Sequence, residues 1–258
     1  MKCYWLIIVL LLQPILIKAE SEQNNRFIEQ AQINLKDKAS LQRGAKWFMN
    51  YCSGCHSLKY LRYNRLALDL GIIDEIGKIN AKLVKANLIF TNAKITDAIN
   101  TSMSEKDAKQ WFGDAPPDLS LTARSRGSNW LYSYLISFYS DPKRPWGTNN
   151  LLYPDVAMPN VLINLQGEQI PIYHDEIQNI DGKKQIVKVI DHVATTKPGL
   201  MSPVQFNAMV NDLVNFLTYV SEPEQTKRIQ LGIWVLLFLV IFAIITFLLK
   251  REYWKDVK

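Results

Sequence analysis

The 258-residue sequence predicts a mostly α-helical domain that carries a small β-hairpin insertion and ends in one transmembrane helix. Three observations predict it. Apolar residues recur three and four apart before residue 50 and again after residue 202, the period of a helix with one buried face. Within 161–200 the period shortens toward two, in QGEQIPIY and DGKKQIVKVIDHV, with Asp181-Gly182 suited to a hairpin turn. Residues 231–249 then run nineteen positions without a charge. At about 1.5 Å per residue, such a helix matches a hydrocarbon core roughly 30 Å thick.

The elements follow in order. Residues 4–17 form a fourteen-residue apolar run between Lys2 and Lys18-Ala19-Glu20. That is short for a membrane span and fits a secretory signal, with a mature chain starting near Glu20; an uncleaved anchor is the alternative. Ser40 is placed to cap a helix whose apolar stripe is Leu41, Ala45 and Phe48. Residues 58–110 mix short helical stretches with polar turns. Residues 113–159 are dense in Pro, Gly, Asn and Asp (GDAPPDLS, DPKRPWGTNN), broken by one apolar stretch at 130–139, and read as pocket walls rather than regular elements. The last soluble helix is well signalled: Ser202 caps it, Pro203 takes its first position and Gln205 completes a capping box. Its apolar face reads Phe206, Val210, Leu213, Leu217 and Val220, and Pro223 stops it. The chain shows neither an internal repeat nor a low-complexity tract.

Charge sets the topology. Lys227 and Arg228 flank the long apolar run on one side; Lys250, Arg251, Lys255 and Lys258 crowd the other, with Tyr253 and Trp254 at the level of an aromatic belt. The positive-inside rule puts the tail in the cytoplasm. The predicted organisation is a signal at 1–19, a periplasmic domain at 20–226, a transmembrane anchor at 227–250 and a cytoplasmic tail at 251–258. Residues 20–226 carry 22 Lys+Arg against 22 Asp+Glu, so the net charge of +6 lies in the signal and around the anchor. Basic charge here marks a membrane, and nucleic-acid binding loses its support.

Once Cys3 leaves with the signal, Cys52 and Cys55 remain, and no disulfide framework is available. They stand with His56 in CSGCH. Two thiols two residues apart can add to vinyl groups on one porphyrin edge, and the adjacent imidazole is carried under the iron. A zinc knuckle would need two further ligands at matched spacing, and a redox CxxC needs no histidine and prefers a βαβ context. The motif therefore predicts one covalently bound haem c. The sixth iron position is open on spacing alone, among Met49, Met103, Met158, Met201, Met209, His174 and His192. Met49 and Met209 fall on helical apolar stripes where packing explains them, and His174 and His192 fall in the hairpin as surface residues. Met158 differs, because Pro154 and Pro159 bracket its loop and restrict how the thioether is presented.

At this point the residues resemble the cytochrome c1 family, the haem subunits of ubiquinol:cytochrome c oxidoreductase (cytochrome bc1) complexes. The resemblance rests on CSGCH followed by SLKYLRYNRL, APPDLSLTARSR, NNLLYPDVAMPNVL, GLMSPVQF, VNFLTYVSEPEQTKR and REYWKDVK. It implies a cytochrome c-like haem domain, with His56 and Met158 as the iron ligands. It also implies that Pro116 and Pro117 line the histidine side, a proline carbonyl accepting the His56 N–H. Arg126 would pair with a haem propionate, Arg124 being the fallback, and Trp130 would stand beside the haem. The implied partners are cytochrome b, a Rieske iron-sulfur protein as electron donor, and a cytochrome c as acceptor; the chain alone would not be an enzyme. A haem subunit of a terminal oxidase or reductase, or an open-iron peroxidase or gas sensor, are the competing readings. Two departures stand out: Asn160 occupies a position where many relatives have histidine, and the short Gly127-Ser128-Asn129 link leaves the register of the two arginines open.

Overall fold

The computed structural model describes residues 26–180 and 183–256 of the chain. The signal segment, Cys3, Glu20 and the Asp181-Gly182 turn lie outside the described residues.

Two long helices make the frame. Helix α1 (Lys38–Tyr51) buries Leu41, Gly44, Ala45, Phe48 and Met49 along one face. Its cap is Asp37, whose carboxylate accepts the Ser40 N–H at 3.0 Å. Ser40, expected as the cap, sits inside the first turn and is buried, its hydroxyl accepting a bond from the Asn215 side chain at 2.9 Å. Both residues are capping types, and a long-range partner that local sequence does not show decided between them.

After short segments the chain forms β1 (Leu58–Arg62), α2 (Tyr63–Leu70), α3 (Ala81–Asn87), β2 (Ala98–Ile99) and α4 (Glu105–Phe112), with β1 and β2 antiparallel. Residues 113–159 are more regular than expected. They hold α5 (Thr122–Arg126), α6 (Ser128–Ile136) and the antiparallel pair β3 (Phe138–Ser140) and β4 (Thr148–Asn150). The glycine at the α5–α6 junction, Gly127, has φ +89°, a conformation that ends one helix and starts another within a single residue. That break erases the helical period from the sequence.

Beyond α7 (Ile163–Gln166), the hairpin of β5 (Gly167–Ile180) and β6 (Lys183–Pro198) is larger than predicted, with strands of 14 and 16 residues. Most of its side chains are exposed on both faces, which is why its period-two signal is faint. Helix α8 (Pro203–Ser221) starts with the predicted Ser202/Gln205 capping box, and all five predicted core residues on it are buried. It packs along α1 where Gly44 lets the two backbones meet. Arg43 grips Asp212 with two bonds of 2.6 and 2.8 Å, and Phe48 meets Phe216 at 5.9 Å between ring centroids.

Asparagines on α8 also tie down the polar lead-in to α1. Asn211 pairs with the backbone N–H and C=O of Gln32, at 2.7 and 2.9 Å; Asn215 does the same with Asn34, at 3.0 Å in each direction. Each amide imitates the neighbouring strand of a ladder, satisfying an extended segment that has no strand partner.

Helix α9 (Gln225–Tyr253) has 29 residues and a mean hydropathy of 3.0 over its most apolar window, and none of its residues is buried against the other described residues. It runs a little beyond the predicted anchor at both ends. Water would not leave such a surface bare, and a bilayer accounts for its length and composition together. Its start is fastened to the domain: Arg65 on α2 bonds Glu224 at 2.5 Å and Asp69 at 2.6 Å, and Tyr219 donates to Asp69 at 2.6 Å.

Candidate haem centre

The CSGCH segment unwinds directly from α1. Cys52 is the helix C-cap, its N–H bonded to the Phe48 carbonyl at 2.8 Å, and the His56 N–H returns to the Cys52 carbonyl at 2.8 Å. The loop is closed from outside by Thr101, whose hydroxyl donates to the Gly54 carbonyl at 2.6 Å and whose N–H donates to the Ser57 hydroxyl at 2.9 Å.

Past His56 the chain is laced to PPDLS. The Ser57 carbonyl accepts the Leu119 N–H at 2.9 Å, the Lys59 N–H donates to Asp118 at 2.8 Å, and the Tyr60 N–H donates to the Ser120 hydroxyl at 3.2 Å. In the same seam His56 Nδ1 lies 2.8 Å from the Pro117 carbonyl oxygen. A carbonyl can only accept, so Nδ1 carries the proton and Nε2 keeps its lone pair free for a metal. Burial lowers the His56 pKa and holds the ring neutral, against the opposing pull of the Pro117 carbonyl and Asp118. Pro116 is half-buried beside this seam.

The two thiols are poor candidates for other cysteine chemistry. Burial pushes Cys52 up to about 12 and raises Cys55 as well, so both stay protonated at neutral pH. A zinc or redox site would need thiolates. Among the described residues no cluster of three or more His, Cys, Asp or Glu side chains is arranged to hold a metal. The donors within CSGCH fit a haem: two thiols able to end as thioethers and one oriented neutral imidazole.

The second half of the candidate site is built on α6. Arg126 lies with its guanidinium carbon 5.1 Å from the centre of the Trp130 ring, Trp130 stacks on Tyr134 at 5.1 Å with 9° between planes, and Tyr134 donates its hydroxyl to the Met158 sulfur at 3.4 Å. Three of the sequence-selected residues, Arg126, Trp130 and Met158, thus stand in one row. Arg124 lies apart from that row, its charge acting on Glu222 at the end of α8. Neither arginine is buried. Of the other sixth-ligand candidates, Met103 stays near the CSGCH loop, its N–H donating to the Thr101 hydroxyl at 3.2 Å. Met49 and Met209 are packed in the core, Met201 packs against it, and His174 and His192 share the exposed carboxylate of Asp191.

Tyr134 and two asparagines were missed by the sequence reading. The Trp130, Tyr134, Phe138 spacing of four was a signal for the first, and Phe138 does meet Tyr134 edge-on at 5.1 Å. Asn149 and Asn150 gave no such signal, yet they shape the Met158 loop. Asn150 is fully buried; its amide donates to the Tyr134 carbonyl at 2.8 Å, and its oxygen accepts from the N–H groups of Leu152 at 2.9 Å and Tyr153 at 3.2 Å. Asn149 accepts from the N–H of Asp155, whose φ of +61° puts it in the left-handed region, and Arg144 clamps Asp155 with bonds of 2.8 and 2.6 Å. Rigidity here comes from side-chain amides as well as from the two prolines. Asn160 turns away from the row, capping the Leu162 N–H at 3.1 Å. Asn150→Ala is expected to cost about 2–3 kcal/mol, since several buried groups lose their partners at once; thermal melting of the purified protein checks it.

The site and the fold define the class: a c-type cytochrome ending in an apolar anchor helix. Comparison with known proteins narrows it. Residues 29–257 match the model of the Cytochrome C1 family. A cytochrome c1 of Allochromatium vinosum is 49% identical over 96% of this chain and 96% of its own length. A protein of Nitrosomonas europaea described as an ammonia monooxygenase gamma subunit is 39% identical over 98% of this chain and 97% of its own length, and a cytochrome c1 of Rhodospirillum rubrum is 29% identical over 86% and 83%. A solved chain from a hyperthermophilic respiratory Complex III aligns over 90% of this chain and 88% of its own length at 16% identity, with a TM-score of 0.39, too low to bear on the fold. The chain belongs to the cytochrome c1 family, whose members carry one covalently bound haem c.

Proposed function

We propose that this chain is the haem subunit of a cytochrome bc1 complex, with cytochrome b and a Rieske iron-sulfur protein as partners, passing electrons from the Rieske protein to a cytochrome c. The observation that carries this reading is the match of almost the whole described chain to one family, with a neutral, carbonyl-oriented imidazole directly after the two cysteines.

In this reading Cys52 and Cys55 hold the porphyrin edge. His56 Nε2 and the Met158 sulfur would hold its iron. The bound haem supplies reversible one-electron chemistry, favouring the ferrous state because a thioether is a weak donor to ferric iron. The chain does the rest: the Pro117 carbonyl orients His56, the asparagine-held loop presents Met158, and Arg126 balances a propionate. Pro116, Pro117 and Trp130 line the haem. No substrate bond is made or broken on this subunit, and quinol oxidation belongs to its partners.

The signal at 1–19, the periplasmic domain at 20–226, the anchor at 227–250 and the cytoplasmic tail at 251–258 complete the reading: a single-pass protein of the bacterial inner membrane. Extraction in mild detergent should recover the chain with cytochrome b and the Rieske protein, one haem per chain by pyridine haemochrome. Adding quinol should reduce that haem, and depleting the Rieske protein should stop it. Recovery with a terminal oxidase, or with a monooxygenase of the kind that the Nitrosomonas relative's description names, would overturn the proposal.

A further inference from the structure

We propose that Tyr134 is a positioning residue for the haem iron, its phenol donating a hydrogen bond to the Met158 sulfur and thereby raising the reduction potential. The inference rests on the reading of Met158 as an axial ligand.

Three observations carry it. First, the Tyr134 hydroxyl lies 3.4 Å from Met158 Sδ, and this is the only partner the hydroxyl has among the described residues. A phenol turned into a protein interior finds a partner, and here the partner is a sulfur. Second, the ring cannot swing away cheaply. It is stacked face to face on Trp130, which carries Arg126 on its ring, and it meets Phe138 edge-on. Third, the two ends of the contact are fixed to each other. Asn150 binds the Tyr134 carbonyl with its amide, and its oxygen holds the N–H groups of Leu152 and Tyr153 at the start of the Met158 loop. One buried side chain therefore sets the helix that carries the donor and the loop that carries the acceptor.

The chemical consequence has a definite sign. A thioether sulfur has two lone pairs; one can bind iron and the other can accept the phenol proton. Accepting that bond draws electron density from the sulfur and makes it a poorer donor. Ferric iron needs the donor more than ferrous iron does, so the oxidised state loses more and the potential rises. Tyr134 thus acts on the electron equilibrium without touching the metal.

Tyr134→Phe tests this cleanly, because it keeps the ring, its stack on Trp130 and the backbone bond to Asn150 while removing one hydroxyl. In the detergent-solubilised native complex, redox titration of the c-type haem should show the reduction equilibrium shifted toward the ferric form by up to about fivefold, since only the part of an ordinary hydrogen bond that differs between the two oxidation states is read. The ferric sulfur-to-iron absorption band should persist and show a stronger bond. As a second variant that does not disturb the α6 packing, Met158→Leu reports on the ligand itself. If it abolishes the band while Tyr134→Phe leaves the potential unchanged, the tyrosine inference is wrong and the ligand reading stands. If the band survives Met158→Leu, the ligand reading fails and takes the inference with it. A lowered potential in Tyr134→Phe with the band intact supports both.

Discussion

Met158→Leu is expected to leave covalent haem in place while opening the iron. On the proposed ligation, Cys52, Cys55 and His56 attach the porphyrin independently of the distal loop, so haem content per chain should stay at the wild-type level. Leucine is close to methionine in volume, and such swaps usually cost less than about 1.5 kcal/mol in packing. Stability should therefore fall little, and the changes should be confined to the metal. The sulfur-to-iron band disappears, the ferrous protein binds carbon monoxide, and the potential falls by on the order of 0.2 V, within the roughly 0.8 V that axial ligands command. For a one-electron couple at about 59 mV per decade, that is about a thousandfold change in the reduction equilibrium. An acceptor matched to the native potential would then no longer draw electrons from it. Redox titration and carbon monoxide difference spectra check each point, and an unchanged spectrum would return the sixth position to the remaining methionines, of which Met49 and Met209 are packed in the core.

How much of this was legible depends on whether a feature is local. The capping box at Ser202 and Gln205, the uncharged run of the anchor and CSGCH each declare themselves within a few residues. The cap of α1 did not, because Asp37 and Ser40 are both suitable and the choice is made by Asn215, 175 positions away. Helices α5 and α6 hid behind Gly127, whose φ of +89° breaks the period between a five-residue and a nine-residue element. The site divides in the same way. The residues proposed to do chemistry were picked out by their type and spacing. Those that hold them in place, Asn150, Thr101 and the seam from Ser57 to Ser120, act through amide, hydroxyl and backbone bonds that any polar residue could make. Tyr134 lies between these cases, since its spacing to Trp130 and Phe138 was visible and the sulfur it meets was not.

Gly44→Ala should be strongly damaging for the addition of a single methyl group. A Cβ there would stand 2.1 Å from the Asp212 carbonyl oxygen and 2.5 Å from Phe216 Cβ. Neither is the far end of a flexible side chain, so relief requires α1 and α8 to move apart. In an isolated helix the same change would gain up to about 1 kcal/mol of propensity. Against that, separating the helices loosens the Phe48–Phe216 contact, the Arg43–Asp212 pair and the asparagine bonds to the lead-in, all on one interface. Overpacking costs typically 1–3 kcal/mol even where side chains can yield; here backbone must yield, so a net loss of about 3 kcal/mol is expected. For a domain of this size that lowers the melting temperature by roughly 6–12 °C. Helix α1 also delivers Cys52 as its own C-cap, so a displaced helix should reduce covalent haem yield in parallel. Gly54→Ala is the matched control for melting: no protein atom comes within 4 Å of an added Cβ, and the melting temperature should stay near the wild type. Equal behaviour of the two variants would show that the α1–α8 approach is looser than the structure has it. A difference confined to Gly44 would locate the stability of the domain in the packing of the helix that leads into CSGCH.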